Sequence, residues 1–298
     1  MNNQNYGIFF NINAGDGKAK EAATRLKEKL SEHAIDGHFI TGESESASIA
    51  ALNTALESLD ALIAIGGDGT LSLAISTLLK ANHSVPFGII PAGTVNNFAK
   101  RFQIPLDIDA AIRVIISGHQ QSVGIGKCDN GQAVVSSLAL GNLADLSNEV
   151  RQKDKQKFGK IVYLIEALRR IGKNKSYRIE YQIDGRTRKE LKTWFALLTT
   201  TSSIGGHIYS DPAPTKLHLS ILNNISLGQV IPYLYFGLTG KLNHSKAVTY
   251  LTMNELKLTA KDHNKVVVRI DGDEGPALPI TITYLEDFLS LFVPALRE

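Results

Sequence analysis

Ala61-Leu62-Ile63-Ala64-Ile65-Gly66-Gly67-Asp68-Gly69-Thr70-Leu71-Ser72 is the stretch on which the fold turns. An apolar run leads directly into a glycine turn, and Leu71, Ala74, Ile75, Leu78 and Leu79 then recur at helical spacing. The pattern predicts a buried strand, a tight turn at its carboxyl end, and a helix. The glycines are expected to take positive φ and to leave no Cβ in the way of a ligand. The helix start aims its N–H groups and positive dipole end at whatever lies over the turn, which suits a polyphosphate. Asp68 would repel a bare phosphate; it fits if a divalent cation, Mg²⁺ with its waters, stands between them. The plainer alternative is a strand-to-helix turn that needs its glycines for shape alone.

Moving outward, the same succession repeats. Tyr6 to Phe10 predicts a first buried strand, ending in Asn11-Ile12-Asn13-Ala14-Gly15-Asp16-Gly17-Lys18. Ala19, Ala22, Ala23, Leu26 and Leu30 mark the inner face of a helix. A short strand through His38-Phe39-Ile40 stops at Thr41-Gly42-Glu43, and Ser46 to Leu59 predicts a second helix. Phe87 to Ile90 predicts a strand ending in Pro91-Ala92-Gly93-Thr94-Val95-Asn96-Asn97-Phe98-Ala99-Lys100, and Asp107 to Ser117 a further helix. Strands alternating with helices of this length imply a mostly parallel sheet covered on both faces. Ligands on such sheets gather beyond the carboxyl ends of the strands. All four turns after those strands are polar or glycine-bearing, and they belong on one rim.

Beyond about Ser122 the period changes. Ala133 to Leu140 predicts a strand and Lys160 to Arg170 a helix. Tyr177, Ile179, Tyr181 and Ile183 alternate with polar residues up to Asp184-Gly185, a hairpin signal, with Leu191 to Thr201 as the returning strand. Leu217, Leu219 and Ile221 alternate, as do Leu256 and Leu258, then Ile280, Ile282 and Tyr284; Phe288 to Val293 is a final apolar strand of unassigned place. The expected organisation is an α/β domain over 1–122 and a β-rich, largely antiparallel domain over 123–285. Residues 286–298 are a candidate to complete the first.

Composition bounds the function. The chain has 298 residues, room for two cores, and a net charge of +3, too small to argue for nucleic acid. Cys128 is the single cysteine, so no internal disulfide forms and a reducing, cytoplasmic compartment fits. The polar start Met1-Asn2-Asn3-Gln4-Asn5 is unlike a signal peptide, and no apolar run reaches bilayer-spanning length. The histidines form no H-E-x-x-H or i,i+4 pair of the kind that binds zinc.

Three segments in order, Gly66-Gly67-Asp68-Gly69-Thr70-Leu71, Ile90 to Ala99, and Ile270-Asp271-Gly272-Asp273, resemble the signatures of the diacylglycerol kinase catalytic-domain family. More narrowly, the chain resembles its soluble bacterial lipid kinases. The resemblance implies an NAD-kinase-like three-layer α/β domain followed by a β-sandwich-like domain, with both substrates between them. It implies ATP-dependent transfer of the γ-phosphoryl group to a lipid hydroxyl, diacylglycerol being the first candidate, with ATP and Mg²⁺ required. Carried over by position, Asn11, Asn13, Ala14, Gly15, Thr41, Gly66, Gly67, Asp68, Gly69, Thr70, Leu71, Ser72, Thr94 and Asn96 would surround the nucleotide, with Asp68 acting on the phosphates through Mg²⁺. No G-x-x-x-x-G-K-[ST] loop is present, so backbone amides and metal must take the place of its lysine; Lys18 and Lys100 are candidates for a cation, or are simply solvated.

The third signature departs from its pattern. The family has Asp-Gly-Glu, with the glutamate as base; here Asp273 takes that position and Glu274 follows. Asp273 is the expected catalytic base, Glu274 the substitute, and a solvated turn the structural alternative. Ile12 stands where the family's first loop has proline, and Asp211 is the only carboxylate near a metal site of some members, so no second, structural metal is expected. Basic residues from Arg151 to Arg178 surround one amphipathic helix and suit peripheral contact with an anionic membrane, or a solvated face. A homodimer is left open. The competing readings are an NAD-kinase-like enzyme for a soluble acceptor and a nucleotide- or lipid-binding protein without turnover.

Overall fold

A computed structural model describes residues 4–11, 18–93, 96–141, 176–200, 203–204, 207–208, 216–222, 248–261 and 265–295. The predicted helix at Lys160 to Arg170, the basic stretch from Arg151 to Lys175, Ile12 and Asp211 lie outside them. By contact the chain divides into two units, Met1–Ser136 with Leu285–Glu298, and Ser137–Tyr284.

In chain order the first unit holds β1 (Gln4–Phe10), α1 (Lys18–Glu32), β2 (Ile35–Ile40), α2 (Glu45–Ala55) with a 3₁₀ turn at Leu56–Ser58, β3 (Ala61–Gly66), α3 (Asp68–Ala81), β4 (Phe87–Pro91), the short α4 (Asn97–Arg101), α5 (Ile108–Ser117), β5 (Gln120–Cys128) and β6 (Ala133–Val134). The strands β2-β1-β3-β4 lie side by side and parallel. Every residue of β3 is buried, because helices cover both faces of a parallel sheet. α1 packs with α5, and α2 with α3. Ser44 caps α2 by accepting from the Ala47 amide at 3.1 Å, and Asp107 caps α5 through Ala110 at 2.9 Å.

The second unit contains β7 (Ser137–Gly141), β8 (Tyr177–Ile183), β9 (Lys189–Thr193), β10 (Phe195–Thr199), β11 (Ser203–Ile204), β12 (His207–Ile208), β13 (Leu217–Leu222), β14 (Val248–Met253), β15 (Glu255–Ala260), β16 (Val267–Ile270) and β17 (Asp273–Ala277). The strand β18 (Ile280–Phe292) begins in this unit, paired with β15, and ends in the first, where Leu291 lies parallel to Phe87 of β4. An antiparallel sheet in the order β14-β13-β10-β7-β16-β17 supplies most of the second core. Leu138, Leu140, Ala196, Leu198, Leu217, Leu219, Ile221 and Ile270 are buried on one of its faces, as strand alternation requires. Asp184 and Gly185 both take positive φ, +48° and +68°, which gives the β8–β9 hairpin the twist of its strands.

Four predicted strands are corrected. Ala133 to Leu140 is two strands, since Ala133 is held by α3 in the first unit while β7 pairs with β10 and β16 in the second. Leu191 to Thr201 is likewise divided, because β9 pairs with β8 and β10 pairs with β7 and β13. The break falls at buried Trp194, whose carbonyl oxygen would be 2.4 Å from a Cβ on Gly141. Conversely, Ile280 to Tyr284 and Phe288 to Val293 belong to one long strand, β18.

The α3–β6 contact is polar and buried. Ser76 Oγ accepts from the Ala133 amide at 2.8 Å, and Ser72 Oγ donates to the Ala133 carbonyl at 3.3 Å. Both serines are one helical turn apart on the covered side of α3. Replacing Ser76 with alanine strands a buried N–H, so Ser76→Ala is expected to lower unfolding free energy by about 1–3 kcal/mol in urea titration. An unchanged midpoint and slope would remove this contact from the account of the fold.

Candidate functional site

Strand register places the carboxyl ends of the parallel strands together. Ile40 lies beside Phe9, Phe10 beside Ile65, and Gly66 beside Pro91. The segments beginning at Asn11, Thr41, Gly67 and Ala92 therefore leave one edge of the sheet. β1 sends its chain into α1 and β3 sends its chain into α3, helices that pack with different partners, α5 and α2 respectively. Adjacent strands whose connections part in this way open a crevice at their carboxyl ends.

The expected positive φ of the glycine turn is not found. Gly67 is extended, with φ −93° and ψ −175°, and neither Gly66 nor Gly69 has positive φ. The glycines are required by contact instead. A Cβ on Gly66 would stand 2.4 Å from Thr70 Oγ1. A Cβ on Gly93 would stand 2.4 Å from the Gly67 Cα, so the loops after β3 and β4 touch backbone to backbone. The Ala92 amide also donates to the Gly66 carbonyl at 2.9 Å.

Asp68 joins the same loops through its side chain. Oδ2 accepts from the Asn97 amide at 3.0 Å and Oδ1 from the Phe98 amide at 3.1 Å, so Asp68 caps α4 from a distant point in the chain. Asn96, with φ +54°, braces the loop: its Oδ1 accepts from the Gly93 amide at 3.1 Å and its Nδ2 donates to the Gly93 carbonyl at 2.8 Å. By contrast with α2 and α5, α3 has no side-chain cap, because its N-cap is Gly67. Its first amides are left for another acceptor. Thr41 carries a buried Oγ1 without a hydrogen-bond partner.

The predicted rim residues thus separate by place. Asn11, Thr41, Gly66, Gly67, Asp68, Gly69, Thr70 and Asn96 stand in or beside the loops at the sheet edge, with Asn11 exposed. Leu71 is in the hydrophobic core, and Ser72 faces β6. Asn13, Ala14, Gly15 and Thr94 lie outside the described residues. Lys18 and Lys100 are exposed.

In the second unit, Asp271 and Gly272 form a two-residue hairpin loop with φ +53° and +101°. Asp271 exchanges hydrogen bonds with Ser137, accepting from its amide at 2.9 Å and donating its own amide to the Ser137 carbonyl at 2.8 Å. Asp273 and Glu274 lie in β17, not in the turn, opposite Ile270 and Arg269. Successive strand residues face opposite ways, so the two carboxylates are not interchangeable. Asp273 is exposed. Sequence reasoning passed over Arg269, Ser76 and the capping role of Asp68, none of which has a signature in local spacing.

Residues 5–128 match the family model for the diacylglycerol kinase catalytic domain. The chain is 27% identical to a diacylglycerol kinase of Bacillus subtilis (strain 168) over 296 residues, covering 96% of this chain and 95% of that one. It is 26% identical to a diacylglycerol kinase of Staphylococcus aureus (strain MRSA252) over 294 residues, 96% and 91% of the two chains. A Bacillus anthracis str. Sterne crystal structure, provisionally described as a diacylglycerol kinase, shares the fold at TM-score 0.80 and 19% identity, covering 98% of this chain and 95% of that one. An NAD kinase from Archaeoglobus fulgidus in complex with ATP is similar at TM-score 0.55 and 13% identity, with 97% and 93% covered.

The cap on α4 is a property of the protein without ligand. Asp68→Ala is expected to cost about 0.5–2 kcal/mol in nucleotide-free urea unfolding, with Asp68→Asn, which keeps one acceptor, losing less. Equal stability of all three proteins would refute the structural role of the carboxylate.

Proposed function

We propose that this chain is a member of the diacylglycerol kinase catalytic-domain family and a lipid kinase that transfers the γ-phosphoryl group of ATP to a lipid hydroxyl, with diacylglycerol as acceptor and phosphatidic acid as product. The observation that carries the reading is the rim of the first unit. There, uncapped amides at the start of α3, the bare backbone of Gly67 and Gly93, and the unpartnered Thr41 hydroxyl lie along one sheet edge. Backbone amides at a helix start suit phosphate, and glycines permit its close approach. Full-length likeness to curated diacylglycerol kinases supports the acceptor class.

The residues present fit Mg²⁺. Each Asp68 oxygen accepts one amide and keeps a further lone pair, so the carboxylate could hold hydrated Mg²⁺ through water. When bound, Mg²⁺ neutralises phosphate charge, which phosphoryl transfer needs more than covalent help. Asn11, Thr41, Gly66, Gly67, Gly69, Thr70 and Asn96, with Asn13, Ala14, Gly15 and Thr94, are proposed to position the nucleotide or shape its loops. Leu71 and Ser72 support these from behind. In the reaction the acceptor oxygen forms a bond to the γ-phosphorus, the bond to the β–γ bridging oxygen breaks, and ADP departs. Asp273 is proposed to take the hydroxyl proton; among the described residues it has no ion pair, whereas Glu274 lies 3.9 Å from an Arg269 nitrogen.

A lipid acceptor requires contact with a membrane surface. Among the described residues no helix is long and apolar enough to cross one. The basic residues from Arg151 to Arg178 are proposed to make a peripheral contact, on sequence grounds.

The reading is tested by transfer of labelled γ-phosphate to diacylglycerol, other lipids and NAD. Asp68→Ala and Asp273→Asn are each expected to reduce transfer at least a hundredfold, and Glu274→Gln by less than tenfold. Preferential transfer to NAD would overturn the lipid assignment, and loss of transfer in Glu274→Gln alone would move the base to Glu274.

A further inference from the structure

Among the described residues, the second unit contains a buried cation whose one ion pair is long. Arg269 in β16 is only 9% exposed, and its Nε is buried without a hydrogen-bond partner. Its ion pair, Nη2 to Glu274 Oε2, spans 3.9 Å, beyond hydrogen-bond reach. The Glu274 side chain is 72% exposed against 10% for Arg269, so its charge is solvated and leaves the buried side of the guanidinium uncompensated.

The surroundings suit a polar ligand. Cross-strand register puts Glu274, Arg269, Ala139, Leu197 and Ser220 in one row across the six-stranded sheet, and Ser137, Thr199 and His218 in the next row on the same face. The opposite face is the apolar one of the core. On the Arg269 face, Thr199 and His218 are each 2% exposed, and His218 Nδ1 shares a hydrogen bond with the Tyr250 hydroxyl. The neighbour of Arg269 on β7 is Ala139, whose side chain offers no acceptor. A guanidinium with an unpartnered Nε and only a long ion pair, on a face that also carries buried Thr199, His218 and Ser220, is an arrangement that an oxyanion completes.

We infer that Arg269 forms an oxyanion subsite in the second unit, taking a phosphate group through the planar fork of its guanidinium. The argument for this subsite uses residues of the second unit alone and does not rest on the kinase reading. Its occupant is either free phosphate or a phosphate-bearing lipid head group, which present the same oxygens.

The test follows thermal unfolding of the full chain in rising inorganic phosphate, with chloride exchanged to hold ionic strength. The unfolding midpoint is expected to rise with phosphate, and Arg269→Met to raise the half-saturating concentration at least tenfold. Arg188→Met removes a well-exposed arginine and should leave it unchanged. Arg269→Lys keeps the charge without the fork and should weaken phosphate at least threefold, which keeps the inference testable if the methionine variant fails to fold. Displacement of phosphate by monomeric dihexanoyl phosphatidate, but not by dihexanoylglycerol, assigns the site to a lipid head group; displacement by neither assigns it to free phosphate. No phosphate response beyond that of chloride, or an equal response in the Arg269 variants, overturns the subsite. So does destabilisation by Glu274→Gln as large as that by Arg269→Met, since the ion pair would then be closed.

Discussion

Two backbone amides, from Asn97 and Phe98, converge on the carboxylate of Asp68, and the geometry of the first unit's rim depends on that convergence. Among the described residues, the loop after β4 is otherwise tied to the loop after β3 by the Gly67–Gly93 approach and the Ala92–Gly66 hydrogen bond. A carboxylate accepting two N–H groups is a strong, oriented connection, because an ionised acceptor strengthens both bonds. The same carboxylate lies beside a helix start left uncapped, so one group holds the rim together and remains available at its surface. The observed structural role and the proposed chemical one fall on the same residue, Asp68, so loss of activity in its variants is interpretable only beside their stability.

The second unit follows a different logic. Its six-stranded sheet hides an apolar face in the ordinary way, yet also buries polar side chains on the other. Burying hydroxyls, an imidazole and a guanidinium carries a desolvation cost that a purely structural sheet avoids. The buried polar groups lie on the face to which Glu274 belongs, not Asp273. The hairpin at Asp271-Gly272, clamped to Ser137, sets which of the two carboxylates faces which way.

Much of the fold was legible. The inward residues of α1 are those that helical spacing selected, and all five selected in α3 are buried, because burial of one helix face leaves a 3.6-residue period in the chain; α3 also buries Ser72, Ser76 and Thr77. Asp184-Gly185 announced its hairpin through a backbone requirement local to two residues. The strands that were misjudged fail for a shared reason. Ala133 to Leu140 and Leu191 to Thr201 are continuous in apolar character but change partners midway, and partner choice leaves no mark on periodicity. At the rim, a glycine-rich turn was evident, whereas its cause was not: positive φ was the local expectation, and a non-local backbone contact is the finding.

By itself, then, the sequence determined the alternation of strands and helices, the period-two character of the second half, the glycine turn with its carboxylate and the family signatures. Each is written in residues close together in the chain, where burial and turn conformation act. Only the tertiary structure decided that Gly67 meets Gly93, that Asp68 caps a helix starting 29 residues later, that Ala133 is held by two serines of α3, and that Arg269 is buried with an unpaired Nε. Those facts depend on strand register and on which surfaces come to face each other. Register is fixed by contacts summed over the sheet, and no short stretch of residues contains it.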